Sequence, residues 1–317
     1  MRKIIALFLV IILMSCEKEN KLDVDVSKVK VTFELDRFDK DFYESKKGLN
    51  ELKNLYPFLF PHFVNDSVWN NKRVDSDELE LFKETEKIYA DINDVENQLR
   101  TLFKHIKYYN PKFQSPRVIT MLTNIDYENR VVYRDSLLLV SLDAYLGEKH
   151  KFYGDYPAYV KQNNKKENIV VDVASKIIDQ QVLPKTNRTF IDKMIYKGKK
   201  MYLKDTYLTE LPDYLKIGYS KEKFDWALAN EEEIWRYFME KDLLFSTDKS
   251  LDKRFLDIAP FSKFYMGQDN LSPGRIGEWI GWEIVKSYMK NNDVSLHELI
   301  RTSEEEIFIK SKYKPRR

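Results

Sequence analysis

Cysteine and histidine are the residues that this sequence has least of. The 317-residue chain contains one cysteine, Cys16, and four histidines, which lie far apart in sequence. One cysteine cannot form a disulfide within the chain, and it cannot build a zinc site made of thiolates. No HExxH segment occurs, and no two histidines fall within one helical turn. The sequence therefore contains no short metal-binding motif, and we expect no cofactor.

Excess charge and nucleotide-binding glycine motifs are also missing. Lys and Arg number 53 and Asp and Glu number 51, which gives a net charge of +2. This balance gives no electrostatic argument for nucleic acid, and we expect no nucleic-acid partner. No GxSxG, GxxxxGK[ST] or GxGxxG motif occurs. We interpret the basic C-terminal residues 310–317 as a solvated tail rather than a binding patch.

The first sixteen residues form a targeting signal. Arg2 and Lys3 precede an unbroken apolar run over residues 4–14. A membrane-spanning helix needs about 20 apolar residues, so this run has the length of a signal-peptide core. No later apolar run approaches the length of a membrane-spanning helix.

The apolar run ends in Leu-Met-Ser-Cys at residues 13–16, which resembles a bacterial lipobox. The resemblance implies cleavage before Cys16 and attachment of lipid to its thiol, a good nucleophile for that reaction. We therefore predict a lipoprotein signal peptide over residues 1–15 and a lipidated N-terminus and linker over 16–28, with the lipid as the membrane contact. The alternative is an ordinary signal peptide with an accidental cysteine.

In the rest of the chain, strand-like segments precede helical ones. Residues 29–35 alternate apolar and polar side chains, and segments 117–125 and 130–146 also resemble strands, joined by a turn at 126–129. This order favours an α+β fold, mainly α-helical with a small N-terminal β-sheet, in one domain over residues 29–317. The main helices are predicted at 168–182, 188–202, 221–243 and 274–290.

Three of the nine glycines lie close together, in the segment SPGRIGEWIGWEIVKSYM at residues 272–289. At 100° per residue, Gly274, Gly277 and Gly281 share one face of an amphipathic helix. A phosphate loop would place its glycines before the helix, and a membrane seam would lack the charged residues present here. The spacing therefore predicts close packing against a neighbouring element, with Ser272 as N-cap.

Glu231 is a candidate buried acid because it falls on an apolar helical stripe. A carboxylate in that position must be paired or have a raised pKa. It is either an active acid in a cleft or one half of a buried ion pair, and we favour the ion pair. The stripe consists of Phe224, Ala227, Leu228, Trp235 and Phe238.

Beyond the lipobox, several segments of the chain resemble the GldB family, gliding-motility lipoproteins of Bacteroidota. The resemblance implies a lipid-anchored cell-envelope protein that faces the periplasm, is required for gliding and has other proteins of the gliding machinery as partners. It leaves open which membrane carries the anchor, and it supplies no catalytic residues. The segments are RTFIDKMIYKGKKMYL (188–203), NEEEIWRYF (230–238), APFSKF (259–264), SPGRIGEWIGWEIVKSYM (272–289) and KSKYKPRR (310–317).

A weaker resemblance links the domain to zinc metallopeptidases, in which one helix carries HExxH and the next supplies a glutamate. The matching positions here are Ser175, Lys176 and Asp179 in VASKIIDQQV, and Lys197 in IYKGKK. Two lysines would place ammonium groups where a cation should bind, which is repulsive. The resemblance thus implies a degenerate zinc-metallopeptidase-like scaffold without its metal.

Two functions remain open from the sequence. The first is a non-enzymatic envelope component that binds partners in the gliding machinery. The second is a carboxylate-dependent envelope hydrolase or peptidase-like enzyme that uses an acid such as Glu231. We favour the first because no combination of nucleophile, base and metal ligands is visible in the sequence.

Overall fold

The computed structural model of the chain describes residue 22, residues 24–184 and residues 188–316. The signal peptide predicted over residues 1–15 and the lipid attachment predicted at Cys16 lie outside these residues. Within the described part of the chain, no helix is long and apolar enough to cross a membrane.

Four short strands form one mixed sheet in the N-terminal half. The sheet has the order β1-β2-β4-β3, in which β1, β2 and β4 are parallel and β3 is antiparallel to β4. Residues on β2 and β4 pair in register, with Ile119 opposite Leu139. The strands are β1 (Leu35–Arg37), β2 (Arg117–Met121), β3 (Val131–Arg134) and β4 (Leu137–Ser141).

Two strand predictions were wrong in detail. Segment 130–146 is a hairpin that turns at Asp135, a residue in the left-handed region (φ 55°) that Asp tolerates. The predicted turn at 126–129 therefore does not join two paired strands, and β2 pairs in parallel with β4 instead. Before β1, Phe33 packs on Phe103 with ring centroids 5.1 Å apart, although its backbone is outside the sheet. The alternation of apolar and polar residues over 29–35 thus reflects the burial of apolar side chains, and not the pairing of a strand in the sheet.

Helices make up most of the rest of the described chain, so the predicted fold class, α+β and mainly helical, is confirmed. In the N-terminal half they are α1 (Phe38–Tyr43), α2 (Leu49–Leu55), α3 (Asp66–Val74), α4 (Ser76–Tyr89) and α5 (Asn93–Tyr109). They continue as α6 (Ala158–Lys161), α7 (Asn168–Gln181), α8 (Phe190–Tyr207), α9 (Asp213–Ile217) and α10 (Lys221–Ala229). The last are α11 (Glu231–Glu240), α12 (Ser250–Phe255), α13 (Ile276–Asn291), α14 (Leu296–Arg301) and α15 (Glu304–Ser311).

The helix predicted over residues 221–243 is interrupted at Asn230, between α10 and α11. Asn230 leaves the helical region, and its side-chain Nδ2 donates a hydrogen bond of 2.8 Å to the carbonyl of Trp226. Asparagine breaks helices in this way because its amide competes with the backbone for hydrogen bonds.

Helices α8 and α13 pack with their backbones in contact at glycines. A Cβ added to Gly198 or to Gly281 would overlap backbone atoms of the facing helix. The predicted close approach is therefore confirmed at Gly281. A Cβ at Gly277 would overlap less severely, with the side chains of Leu256 and Phe190 at 2.9 and 3.1 Å and the backbone carbonyl of Phe255 at 3.1 Å.

Helix α13 begins later than the sequence pattern predicted. Arg275 occupies the left-handed region at φ 57°, and the helix starts at Ile276, so Gly274 lies outside it. Ser272 is not the N-cap: its Oγ donates to the carbonyl of Asp269 instead. Since α12 and α15 also pack on α13, the helix is buried on most of its circumference, including Glu283.

One large apolar core joins the sheet to the helices that follow it. Its centre includes Trp279 and Trp282 of α13, both fully buried. A second, smaller cluster lies on the other side of the sheet and consists of Phe38, Phe42, Leu52, Tyr56, Phe60 and Ile119. The larger core fixes the relative positions of α7, α8 and α13, and these three helices build the site described next.

Candidate functional site

A groove runs between α7 and α8 and reaches the start of α13. It consists of two adjoining sections with volumes of about 640 and 480 Å³. The larger section extends toward α9, α6 and the loop after α6, and the smaller one lies beside α8 and the end of α12. Five residues line both sections: Ser175, Asp179, Lys204, Ile258 and Arg275.

Helix α7 contributes one polar face to the groove. Asp172, Ser175, Lys176 and Asp179 are spaced by three or four residues, so they project from the same side of the helix. The Oγ of Ser175 donates to the carbonyl of Val171 at 2.7 Å, which occupies its proton within the helix. Ser175 is therefore not poised as a nucleophile in this arrangement.

Helix α8 contributes a stripe of lysines at the same spacing, Lys197, Lys200 and Lys204. Lys200 forms an ion pair of 2.9 Å with Asp179 across the groove. Lys204 donates to the carbonyl of Lys216 at 3.2 Å, and burial lowers the pKa of its ammonium group, which Glu278 partly offsets. Like charges along one helix face repel each other, so the stripe favours an anion in the groove.

All four positions of the metallopeptidase resemblance line this one groove. Ser175, Lys176 and Asp179 lie on α7, and Lys197 lies on the facing side of α8. Within the described residues, Lys176 and Lys197 form no hydrogen bond or ion pair. The structure therefore brings these positions together, although their alignment with peptidase ligands stays a prediction.

Arg275, where the two sections adjoin, and Glu278, in the smaller section, lie at the start of α13. The Arg275 guanidinium donates to the carbonyl of Ile217 and lies 3.4 Å from the Glu278 carboxylate. Burial alone would raise the pKa of Glu278, but Arg275 and the groove lysines outweigh it and lower that pKa. Glu278 therefore stays ionised and offsets part of the positive charge around it.

The groove concentrates positive charge that the chain as a whole lacks. Eight Lys and Arg residues and five Asp and Glu residues line it. One of the cations, Lys216, pairs with Asp205 and Asp213 outside the lining. The others exceed the groove acids by two, over a small part of a chain whose net charge is +2. The cations are Arg130, Lys176, Lys197, Lys200, Lys204, Lys216, Lys223 and Arg275. The acids are Glu128, Asp172, Asp179, Asp257 and Glu278.

Of these thirteen charged residues, the sequence reasoning identified only Lys176, Asp179 and Lys197. The ones it missed include Lys200, Lys204, Arg275 and Glu278. The lysine spacing on α8 was a usable signal, since it continues the row that starts at Lys197. Nothing in the sequence indicated that Arg275 would leave the helical region and cap α13.

Glu231 lies outside the groove, at the start of α11. It is 2% exposed, its Oε1 accepts a 2.8 Å hydrogen bond from the Tyr313 hydroxyl, and its Oε2 lies 3.6 Å from Arg316. Burial raises the pKa of Glu231, and neighbouring Glu283 adds to the effect. Arg316 also pairs with Glu283 at 2.7 Å. Glu231 thus holds the C-terminal segment in place.

The basic C-terminal segment was wrongly interpreted as a solvated tail. Tyr313 packs against Trp235 with ring centroids 5.1 Å apart, and the carbonyl of Ser311 accepts hydrogen bonds from Ser287 and Asn291 of α13. One of the positive residues that made the segment appear solvated, Arg316, pairs with the two buried glutamates, Glu231 and Glu283.

No group of three or more His, Cys, Asp and Glu side chains arranged to hold a metal ion occurs among residues 22, 24–184 and 188–316. The acids of the groove alternate with cations instead. The chemistry that its lining favours is therefore the pairing of ammonium and guanidinium groups with an anion.

Comparison with known proteins assigns the chain to a protein family. Residues 19–315 match the family described as gliding motility protein GldB. The chain belongs to the GldB family. The resemblance drawn from the quoted segments is thereby confirmed, and with it a relation to gliding motility and to a lipoprotein family of the cell envelope. No curated protein and no solved structure matches the chain.

Proposed function

We propose that this GldB-family chain is a lipid-anchored, non-enzymatic component of the gliding machinery that binds a partner in the α7–α8 groove. The lipid at Cys16 holds the chain on a membrane of the cell envelope, and the folded part faces the periplasm. The groove, rather than any catalytic group, connects the chain to other proteins of the machinery.

The observation that carries this proposal is the composition of the groove. Lys176 and Lys197 present ammonium groups that no described residue pairs, so their charge is available to a ligand. The hydroxyl of Ser175 is bonded within its own helix. A lining of this kind supports binding, since it offers charge and shape without a poised nucleophile.

A Ser175→Trp substitution tests the proposal because it fills the part common to both sections without changing charge. In a gliding bacterium whose own gene carries this change, we expect gliding to be lost while the protein stays folded and abundant. Lys83→Trp, on the exposed side of α4, adds the same side chain elsewhere and should leave gliding intact. Normal gliding in cells with abundant Ser175→Trp protein would overturn the proposal.

The alternative, a carboxylate-dependent hydrolase that uses Glu231, has its own test. Glu231→Gln keeps an acceptor for the Tyr313 hydroxyl but cannot transfer a proton. We expect cells with this variant to glide normally. Loss of gliding by a folded, abundant Glu231→Gln protein would instead support the hydrolase.

A further inference from the structure

We propose that the ligand of the α7–α8 groove is an acidic, extended segment of a partner protein. The inference deepens the proposed function and rests on it, because it names the chemistry that the groove recognises. Two features of the groove support it: its charge, and its shape and lining.

The charge of the groove selects an anion. Lys197, Lys200 and Lys204 form one row on α8 and line the smaller section. Among the acids of that section, only Glu278 is buried. Its lowered pKa reflects the excess of positive charge around it. Carboxylates of a ligand would pair with Lys176 and Lys197 and relieve the repulsion along α8.

The shape and lining of the groove favour an extended chain over a compact anion. The two sections adjoin and are both open to solvent, so the cations are distributed along a path rather than gathered around one point. Apolar side chains alternate with them, and Ile258 at the rim is 69% exposed. A single phosphate would not use apolar walls, whereas alternate side chains of a peptide would. The apolar contributors include Val160, Leu215, Ile217, Ile258 and Pro260.

The test measures binding of a labelled peptide by fluorescence anisotropy, with the full-length lipidated protein in detergent. The probe is a short peptide of alternating glutamate and alanine, and its partner probe replaces every glutamate with glutamine. We expect the glutamate peptide to bind about tenfold more tightly or better, with an affinity that falls as salt is raised.

A double variant, Lys176→Glu with Lys197→Glu, should weaken the glutamate peptide by about tenfold or more. The matched control is Lys83→Glu with Lys241→Glu, which makes the same change of charge at two exposed sites outside the groove. It should bind like the unmodified protein, and circular dichroism should show both variants folded. Equal weakening by both variants would mean that net charge alone is responsible, and would overturn the inference.

Inorganic phosphate separates the proposed ligand from a compact anion. At constant ionic strength, replacing chloride with phosphate should leave peptide binding unchanged. Displacement by phosphate, or equal affinity for the glutamate and glutamine peptides, would overturn the acidic-peptide inference.

The two proposals fail separately. If Ser175→Trp abolishes gliding but the peptides bind equally, partner binding stands and the acidic ligand is wrong. If the acidic peptide binds through Lys176 and Lys197 while Ser175→Trp cells glide normally, the ligand chemistry stands and the role of the groove in gliding is wrong.

Discussion

The two sides of helix α8 use lysine in opposite ways. Lys199 faces α15, is 1% exposed, and donates to the Glu304 carboxylate at 2.8 Å and to the carbonyl of Thr302 at 2.6 Å. Lys197, two residues earlier, faces the groove and forms no hydrogen bond or ion pair with a described residue, and its charge acts on Glu278 only at longer range. One lysine is fully engaged by the fold, and the other leaves its charge available to a ligand.

This contrast separates the part of the helix that maintains the fold from the part that serves binding. On the packed side, Gly198 meets Gly281 of α13 backbone to backbone, and Trp282 donates to Asp205 at 2.6 Å. On the groove side, the side chains are long, charged and partly solvated. Substitutions on the two sides should therefore differ in what they damage.

The largest effect is expected from Gly281→Leu on the packed side. A side chain there overlaps the carbonyl of Met194, and backbone atoms of α8 cannot shift as a side chain could. We expect a loss of more than about 4 kcal/mol in the free energy of unfolding, or no folded protein. Chemical denaturation followed by circular dichroism measures this.

Gly267→Leu is the matched control, because a Cβ at Gly267 meets nothing within 4 Å. It should change stability by less than about 0.5 kcal/mol. A stable Gly281→Leu protein would show that the two helices are not held in backbone contact. Gly277→Leu should fall between the two, since it meets mainly side chains.

Lys199→Ala should have the next largest effect, because it leaves Glu304 buried without its cation. Breaking a buried ion pair typically costs about 3 kcal/mol or more. Lys197→Ala should change the free energy of unfolding by less than about 0.5 kcal/mol. Parallel urea titrations compare the two variants. Similar losses in the free energy of unfolding would contradict the difference between the packed side and the groove side of α8.

The smallest effects are on the pH dependence of the free energy of unfolding. They distinguish Glu278 in the groove from Glu231 at the C-terminal contact. Glu278 has a lowered pKa, so its stabilising contribution is present above the ordinary glutamate pKa and is lost as pH falls through the lowered value. Glu231 has a raised pKa, so its ionisation makes the folded state less stable as pH rises from the ordinary value through the raised one.

Replacing each acid with glutamine should therefore change the pH dependence of stability in opposite directions. The stability lost on Glu278→Gln should grow as pH rises, and the stability lost on Glu231→Gln should shrink or change sign. Urea midpoints between about pH 3 and about pH 7 measure both. Slopes of the same sign would contradict the environments assigned to the two carboxylates.

Long helices were predictable from the sequence, whereas the sheet was only partly so. The helices at α7, α8 and α13 follow from apolar periodicity that local residues determine. The parallel pairing of β2 with β4 depends on contacts between distant residues, so no local pattern predicts it.

Some residues of the groove were predictable from the sequence, but their arrangement was not. Ser175, Lys176, Asp179 and Lys197 were identified through a distant family resemblance, and the fold places all four in one groove. Their role there cannot be read from spacing, because it depends on the approach of α7 to α8. The conformation of Arg275 depends on its tertiary contact with Ile217, and the position of the C-terminal segment depends on its contacts with Glu231.

The most direct test of the account is the gliding speed of single cells that carry Lys176→Glu with Lys197→Glu, at a protein abundance equal to that of the Lys83→Glu, Lys241→Glu control. Because the groove side of α8 serves binding and not folding, we expect the groove variant to be folded, abundant and unable to support gliding, and the control to glide normally. Normal gliding by the groove variant, or loss of gliding only because the protein fails to accumulate, would contradict the account.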